Sequence, residues 1–152
     1  MTAGDAKSVA LYALQAGIAL VWIAAAVGKA CTPAVLRVES VRKLLSGPVW
    51  AASGIARALP IAESVLGLLL IARWKTPAVA AVSAVLFFLF AFLVGLATVR
   101  DSLGDAGCGC FGALRSPSGA PGMSGPPIVA RNFLLANLSL IVALAGRCAC
   151  SR

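Results

Sequence analysis

The sequence has no histidine, 5 acidic residues and a single tyrosine among its 152 residues. The absence of histidine removes the usual general base, the commonest metal ligand and the common haem ligand at once. Chemistry must therefore come from the five cysteines, from Glu63, or from lysine and arginine. Charge is scarce as well: 12% of residues are charged and 61% are hydrophobic, against about 25% and about 45–50% in a soluble domain. That balance excludes an ordinary soluble fold and marks a membrane protein. A net charge of +8 in a soluble protein would point to nucleic acid. Here most basic residues flank apolar runs, where they serve as membrane anchors and topology signals, so no nucleic-acid partner is expected.

What is present is a series of apolar segments, and about 20 apolar residues span a bilayer. Residues 9–28 form the first such segment, interrupted only by Gln15 and holding Trp22 near its middle. The run is longer than the core of a secretory signal and its start is barely basic, so it reads as a span. Residues 53–72 form a second segment, 78–99 a third that is free of charge, and 127–146 a fourth. Between the first two, Val35, Leu36, Val38, Val41, Leu44 and Leu45 recur at helical spacing among Arg37, Glu39, Arg42 and Lys43. That pattern predicts a short amphipathic helix on the membrane face, ended by Ser46-Gly47-Pro48. The expectation is an all-α, four-helix transmembrane bundle comprising residues 1–152 as a single integral membrane domain, since only helices or closed barrels satisfy the backbone in lipid.

Between the third and fourth spans lies a loop, residues 101–126, dense in Gly, Pro and Ser. It carries Gly107-Cys108-Gly109-Cys110-Phe111-Gly112. Glycine permits the tight turn that would bring two such sulfurs together. A bridge over one intervening residue is strained, and strained, exposed bridges exchange readily. Cys108 and Cys110 therefore read as a redox pair or a soft-metal pair, with a static structural bridge or plain loop filling as the alternatives. The tail holds a second pair, Cys148 and Cys150. The fourth span separates the two pairs across the membrane, which argues against a joint metal site because all ligands must reach one ion; no metal is expected. Cys31, at the end of the first span, reads as a small apolar residue or as a resolving thiol.

Polar residues within the spans gather on the loop side. Arg57 and Arg131 each lie about four residues into their segments, roughly 6 Å deep, and Glu63 and Asn137 about ten residues in, roughly 15 Å deep. Lys29 reads most simply as a snorkelling anchor. A carboxylate at the depth of Glu63 needs a cationic partner or handles a proton. Arg57 points off another face of the same helix, which leaves Arg131 or Lys29 as the partner. Cationic groups beneath the loop would lower the pKa of a thiol there and activate it.

The closing Gly28-Lys29 of the first span, Glu63 in the second, Cys108-Gly109-Cys110-Phe111-Gly112, and Arg131-Asn132 opening the fourth resemble the methylamine utilisation MauE family, itself similar to DoxX-like membrane proteins. The likeness covers most of the chain; the Pro/Gly stretch from Ser116 to Pro127 and the cysteine-bearing tail depart from it. The resemblance implies thiol–disulfide exchange in support of exported proteins, with a thioredoxin-like (MauD-like) partner or a cysteine-rich client. Cys108 and Cys110 would be the reactive pair and Arg131, Asn132, Glu63, Lys29 and Arg57 would support them. Electrons would leave through a second thiol protein or a membrane quinone. A non-enzymatic assembly factor, or a DoxX-like subunit of a quinone-linked oxidoreductase, are the other readings. Arg73 and Lys75 in the shortest connector favour cytoplasmic termini by the positive-inside rule. Lasting disulfide chemistry favours a loop outside the cytoplasmic (inner) membrane.

Overall fold

The computed structural model describes residues 3–45, 48–100 and 125–150. They form five α-helices: α1 (Ala3–Ala30), α2 (Ala34–Leu45), α3 (Val49–Ile71), α4 (Thr76–Val99) and α5 (Gly125–Cys150). There is no strand among the described residues. Four of the helices, α1, α3, α4 and α5, are long and apolar enough to cross a membrane, and α2 is the short helix expected between the first two. The result is an all-α four-helix bundle.

The helices overrun the expected spans because their flanks suit helix ends. Asp5 in the first turn of α1 and Lys29 in its last complement the helix dipole. Pro48, extended at φ −67° and ψ 150°, caps α3, so that helix begins at Val49 instead of near Ser53. Pro77 occupies the first turn of α4, where its missing N–H removes no ladder bond. The connector before it turns without glycine, through Arg73 at φ 57° and Lys75 at φ 43°. Left-handed backbone at such residues is uncommon. The guanidinium of Arg73 lies 4.1 Å from the centre of the Tyr12 ring, which ties the turn to the first helix.

The major pairings are α4 against α5 and α1 against α3, with α2 laid on α3. Small residues set the approach, as is usual where lipid removes the hydrophobic drive between helices. At Gly67 an added Cβ would come within 2.7 Å of Ile23 Cγ1 and 3.1 Å of the Ala19 carbonyl. At Gly146 it would meet Pro77 Cγ at 2.8 Å. Ile18, Ala19, Trp22, Leu66, Leu70, Phe87, Ala136 and Val142 form the core. Trp22 stacks on Phe87 with ring centres 4.4 Å apart. Its indole N–H donates to Ser83 Oγ at 3.1 Å, and Gln15 Nε2 donates to the Leu70 carbonyl. Large apolar side chains such as Leu20, Ile61, Val85, Phe92 and Leu134 face outwards, as a lipid-facing surface requires. Trp50 and Trp74, both exposed, flank α3 roughly 35 Å apart at 1.5 Å per residue. That separation suits two interfacial tryptophans around a hydrocarbon core of about 30 Å.

Candidate functional site

The polar centre of the bundle is an ion pair between α1 and α3. Lys29 Nζ lies 2.7 Å from Glu63 Oε1 and 3.0 Å from Oε2. The side chains retain only 10% and 3% of their accessible surface. Helix geometry explains the meeting. The Cα–Cβ bond tilts toward a helix's own N-terminus, and long side chains follow that direction. α1 and α3 run antiparallel, with Gln15 against Leu70 and Lys29 against Glu63. Lys29, one residue from the end of α1, therefore leans down into the bundle, and Glu63 leans up toward it. Lys29 does not snorkel to the interface, as expected from its position near a helix end. It points the other way, because the end it occupies is a C-terminus.

Pro60 lies inside α3, three residues before Glu63. It has no N–H to offer the Ala56 carbonyl, which loosens the ladder one turn above the carboxylate. Ser64 Oγ donates to the Pro60 carbonyl at 2.8 Å.

Asn132, 4% exposed, stands at the same depth as the pair. Trp22 of α1 lies against Ser83 and Phe87 of α4, and these two helices run parallel. Seven residues further along each are Lys29 and residues 90–94. Phe88 meets Phe133 edge to face at 5.4 Å and Gly95 faces Val129, so the stretch of α5 opposite residues 90–94 contains Asn132. Arg131, half-buried beside it, brings Nη2 to 3.4 Å from Asn132 Oδ1. Glu63 is thus served by Lys29, while Arg131 sits on the neighbouring helix pair. Asn137 donates to its own helix at the Phe133 carbonyl, 2.8 Å away.

Arg57 is exposed and belongs to a different place. Gly67 packs at the level of Ala19–Ile23, and ten residues back along α3 puts Arg57 level with Cys31, at the end of α1. There it lines an open cleft of about 460 Å³ between α2 and α3, together with Arg37, Glu39 and Arg42. The sequence pattern assigns those α2 residues to the polar face of a surface helix. α2 packs with that face over α3, and no periodicity within α2 could reveal it. Glu39 receives both Nε and Nη2 of Arg42 at 3.1 Å. That hydrogen bonding, with the charges of Arg42 and Lys43, holds its carboxyl below the ordinary range.

Cys31 is an exposed free thiol at the end of α1. Cys108 and Cys110 lie outside the described residues. Residues 101–124 join the C-terminal end of α4 to the N-terminal end of α5, the end of the bundle beneath which Lys29, Glu63, Arg131 and Asn132 gather. Cys148 and Cys150 belong to the last turns of α5, and their side chains are outside the description. Most of a helix of 26 residues separates them from Gly125, about 35–38 Å at 1.5 Å per residue. Among the described residues no group of three cysteine or acidic side chains is placed to hold a metal ion.

A family model described as methylamine utilisation protein MauE matches residues 7–146. No curated protein and no solved structure matches the chain.

Proposed function

From the methylamine utilisation MauE family, to which this chain belongs, we propose that it is a membrane thiol–disulfide exchange protein with Cys108 and Cys110 as its redox pair. It acts as one integral unit of the cytoplasmic membrane, with termini inside and the cysteine loop outside. It supports disulfide formation or maturation of exported proteins. A client thiolate attacks the Cys108–Cys110 disulfide and forms a mixed disulfide with one sulfur while the other leaves as thiolate. The client's second thiolate then displaces the protein, carrying away the new disulfide. The pair is left as a dithiol that has taken up two electrons and two protons. Those electrons pass to a thioredoxin-like exported protein (MauD-like) or to a membrane quinone, and Cys31 is the candidate resolving thiol.

The observation that supports this most is the convergence of Lys29, Glu63, Arg131 and Asn132 at one end of a four-helix bundle, the end to which the Cys-Gly-Cys segment is attached on both sides. Arg131 supplies positive charge close to the entry of α5, and its helix adds the partial charge of an N-terminus; both favour a thiolate over a thiol. The buried ion pair ties α1 to α3 at that end of the bundle. Redox titration of the full-length protein in nanodiscs tests the reading. A Cys108–Cys110 potential of about −120 to −180 mV is that of an exchange catalyst, whereas one below about −300 mV is that of a structural bridge. The latter would make the protein a static assembly factor.

A further inference from the structure

The cleft between α2 and α3 is separate from the ion pair and has chemistry of its own. Its walls carry Arg37, Arg42 and Arg57 against a single acidic side chain, Glu39, and Glu39 is already engaged by Arg42. No carboxylate among the described residues lies within ion-pair distance of Arg37 or Arg57. Arg37 Nε is buried with no hydrogen-bond partner among the described residues, an arrangement that a protein interior ordinarily avoids. Apart from Ser53 the rest of the lining is apolar and includes Val38 and Ala56. The cleft is open on one side, and its volume of about 460 Å³ falls within the range of small-ligand sites, about 300–1,000 Å³.

Its depth selects the ligand. Arg57 lies seven residues inside the exposed Trp50, about 10 Å along α3. An interfacial helix settles about 5–10 Å into the boundary between headgroups and acyl chains, and α2 is amphipathic in that manner, with Val35 and Leu36 exposed. A pocket at that boundary, with two guanidinium groups that no described carboxylate pairs and a largely apolar wall, matches a phosphate joined to an acyl chain. Guanidinium groups also present the planar fork that suits phosphate oxygens. We propose that this cleft holds one anionic phospholipid, its phosphate between Arg37 and Arg57 and the start of an acyl chain along Val38 and Ala56. Bound there, the lipid would pin the amphipathic helix to the bundle next to the end that carries Cys31.

Native mass spectrometry of the full-length protein, offered dioleoyl phosphatidylglycerol and dioleoyl phosphatidylcholine in equal amounts, tests this. The expected result is retention of one phosphatidylglycerol, preferred over phosphatidylcholine. Arg37→Gln and Arg57→Gln should each reduce its retention about fivefold, the equivalent of about 1 kcal/mol per basic residue at an anionic membrane surface. Arg57→Lys should retain most of the binding. Val38→Trp fills the cleft while leaving every charge in place, so it should release the lipid even if an arginine variant folds poorly. Equal retention of the two lipids, or retention unchanged in Val38→Trp and Arg57→Gln, would overturn the proposal. So would saturation of the site by inorganic phosphate with no lipid retained, which would mean a free-anion site.

Discussion

Replacing Glu63 by glutamine leaves the Lys29 ammonium facing a neutral amide in a site that is almost closed to solvent. In the native protein that ammonium lies 2.7 and 3.0 Å from the two carboxylate oxygens, and both side chains are buried. Removing one partner of a buried pair destabilises by about 3–5 kcal/mol, because the remaining charge is stranded in low dielectric. Lys29→Met strands the carboxylate instead and should lose a similar amount. The double variant, Lys29→Met with Glu63→Gln, strands neither charge, and replacement of a whole buried pair is often close to neutral. Its loss should therefore be well below the sum of the singles, with a coupling of several kcal/mol, where independent sites add within about 0.3–0.5 kcal/mol. The assay is reversible unfolding in mixed micelles, followed by tryptophan fluorescence; Trp22 lies in the same α1–α3–α4 core. Additive losses would mean that the pair does not hold α1 to α3.

Further outcomes follow from the same geometry. Arg131→Gln should slow alkylation of the reduced Cys108–Cys110 pair at neutral pH about tenfold, the effect of a thiol pKa raised by about one unit; the rates should converge at alkaline pH, and superimposable profiles at all pH values would remove Arg131 from the activating role. A membrane-impermeant thiol reagent applied to reduced intact cells should label Cys108 or Cys110 and spare Cys148 and Cys150, and labelling of the tail pair alone would invert the topology. Gly67→Val should force α1 away from α3, since a Cβ already meets Ile23 and the Ala19 carbonyl; a loss of about 1–3 kcal/mol is expected, and unchanged thermal stability would contradict the close helix approach.

The bundle itself was legible because lipid imposes a simple rule: apolar runs of spanning length must be helices. Helix ends were less so. Val49–Ala52 are apolar and belong to α3, ahead of the start expected at Ser53, and Pro48 at the N-cap sets that boundary. Depth along the helices marks Glu63 and leaves Lys29 or Arg131 as its partner, without choosing between them. The choice depends on side-chain direction, which follows from helix polarity: Lys29 occupies a C-terminal end and so leans inward. The same consideration, applied to the sequence, would have removed the snorkelling reading of Lys29. The cleft of Arg37 and Arg57 was hidden for another reason. It exists only because α2 folds back over α3, a tertiary placement that neither segment announces alone.

In the proposed function Cys108 and Cys110 exchange disulfides with another protein. Its most direct test is to express the full chain with Cys108→Ser, and separately with Cys110→Ser, to quench the cells with acid and alkylating reagent, and to purify the protein without reductant. One of the two variants should carry a covalently attached exported protein, which reductant releases and which proves to be either a thioredoxin-like partner or a cysteine-rich client. Recovery of both variants free of any mixed disulfide, with the exported proteins of the same cells fully oxidised, would contradict it.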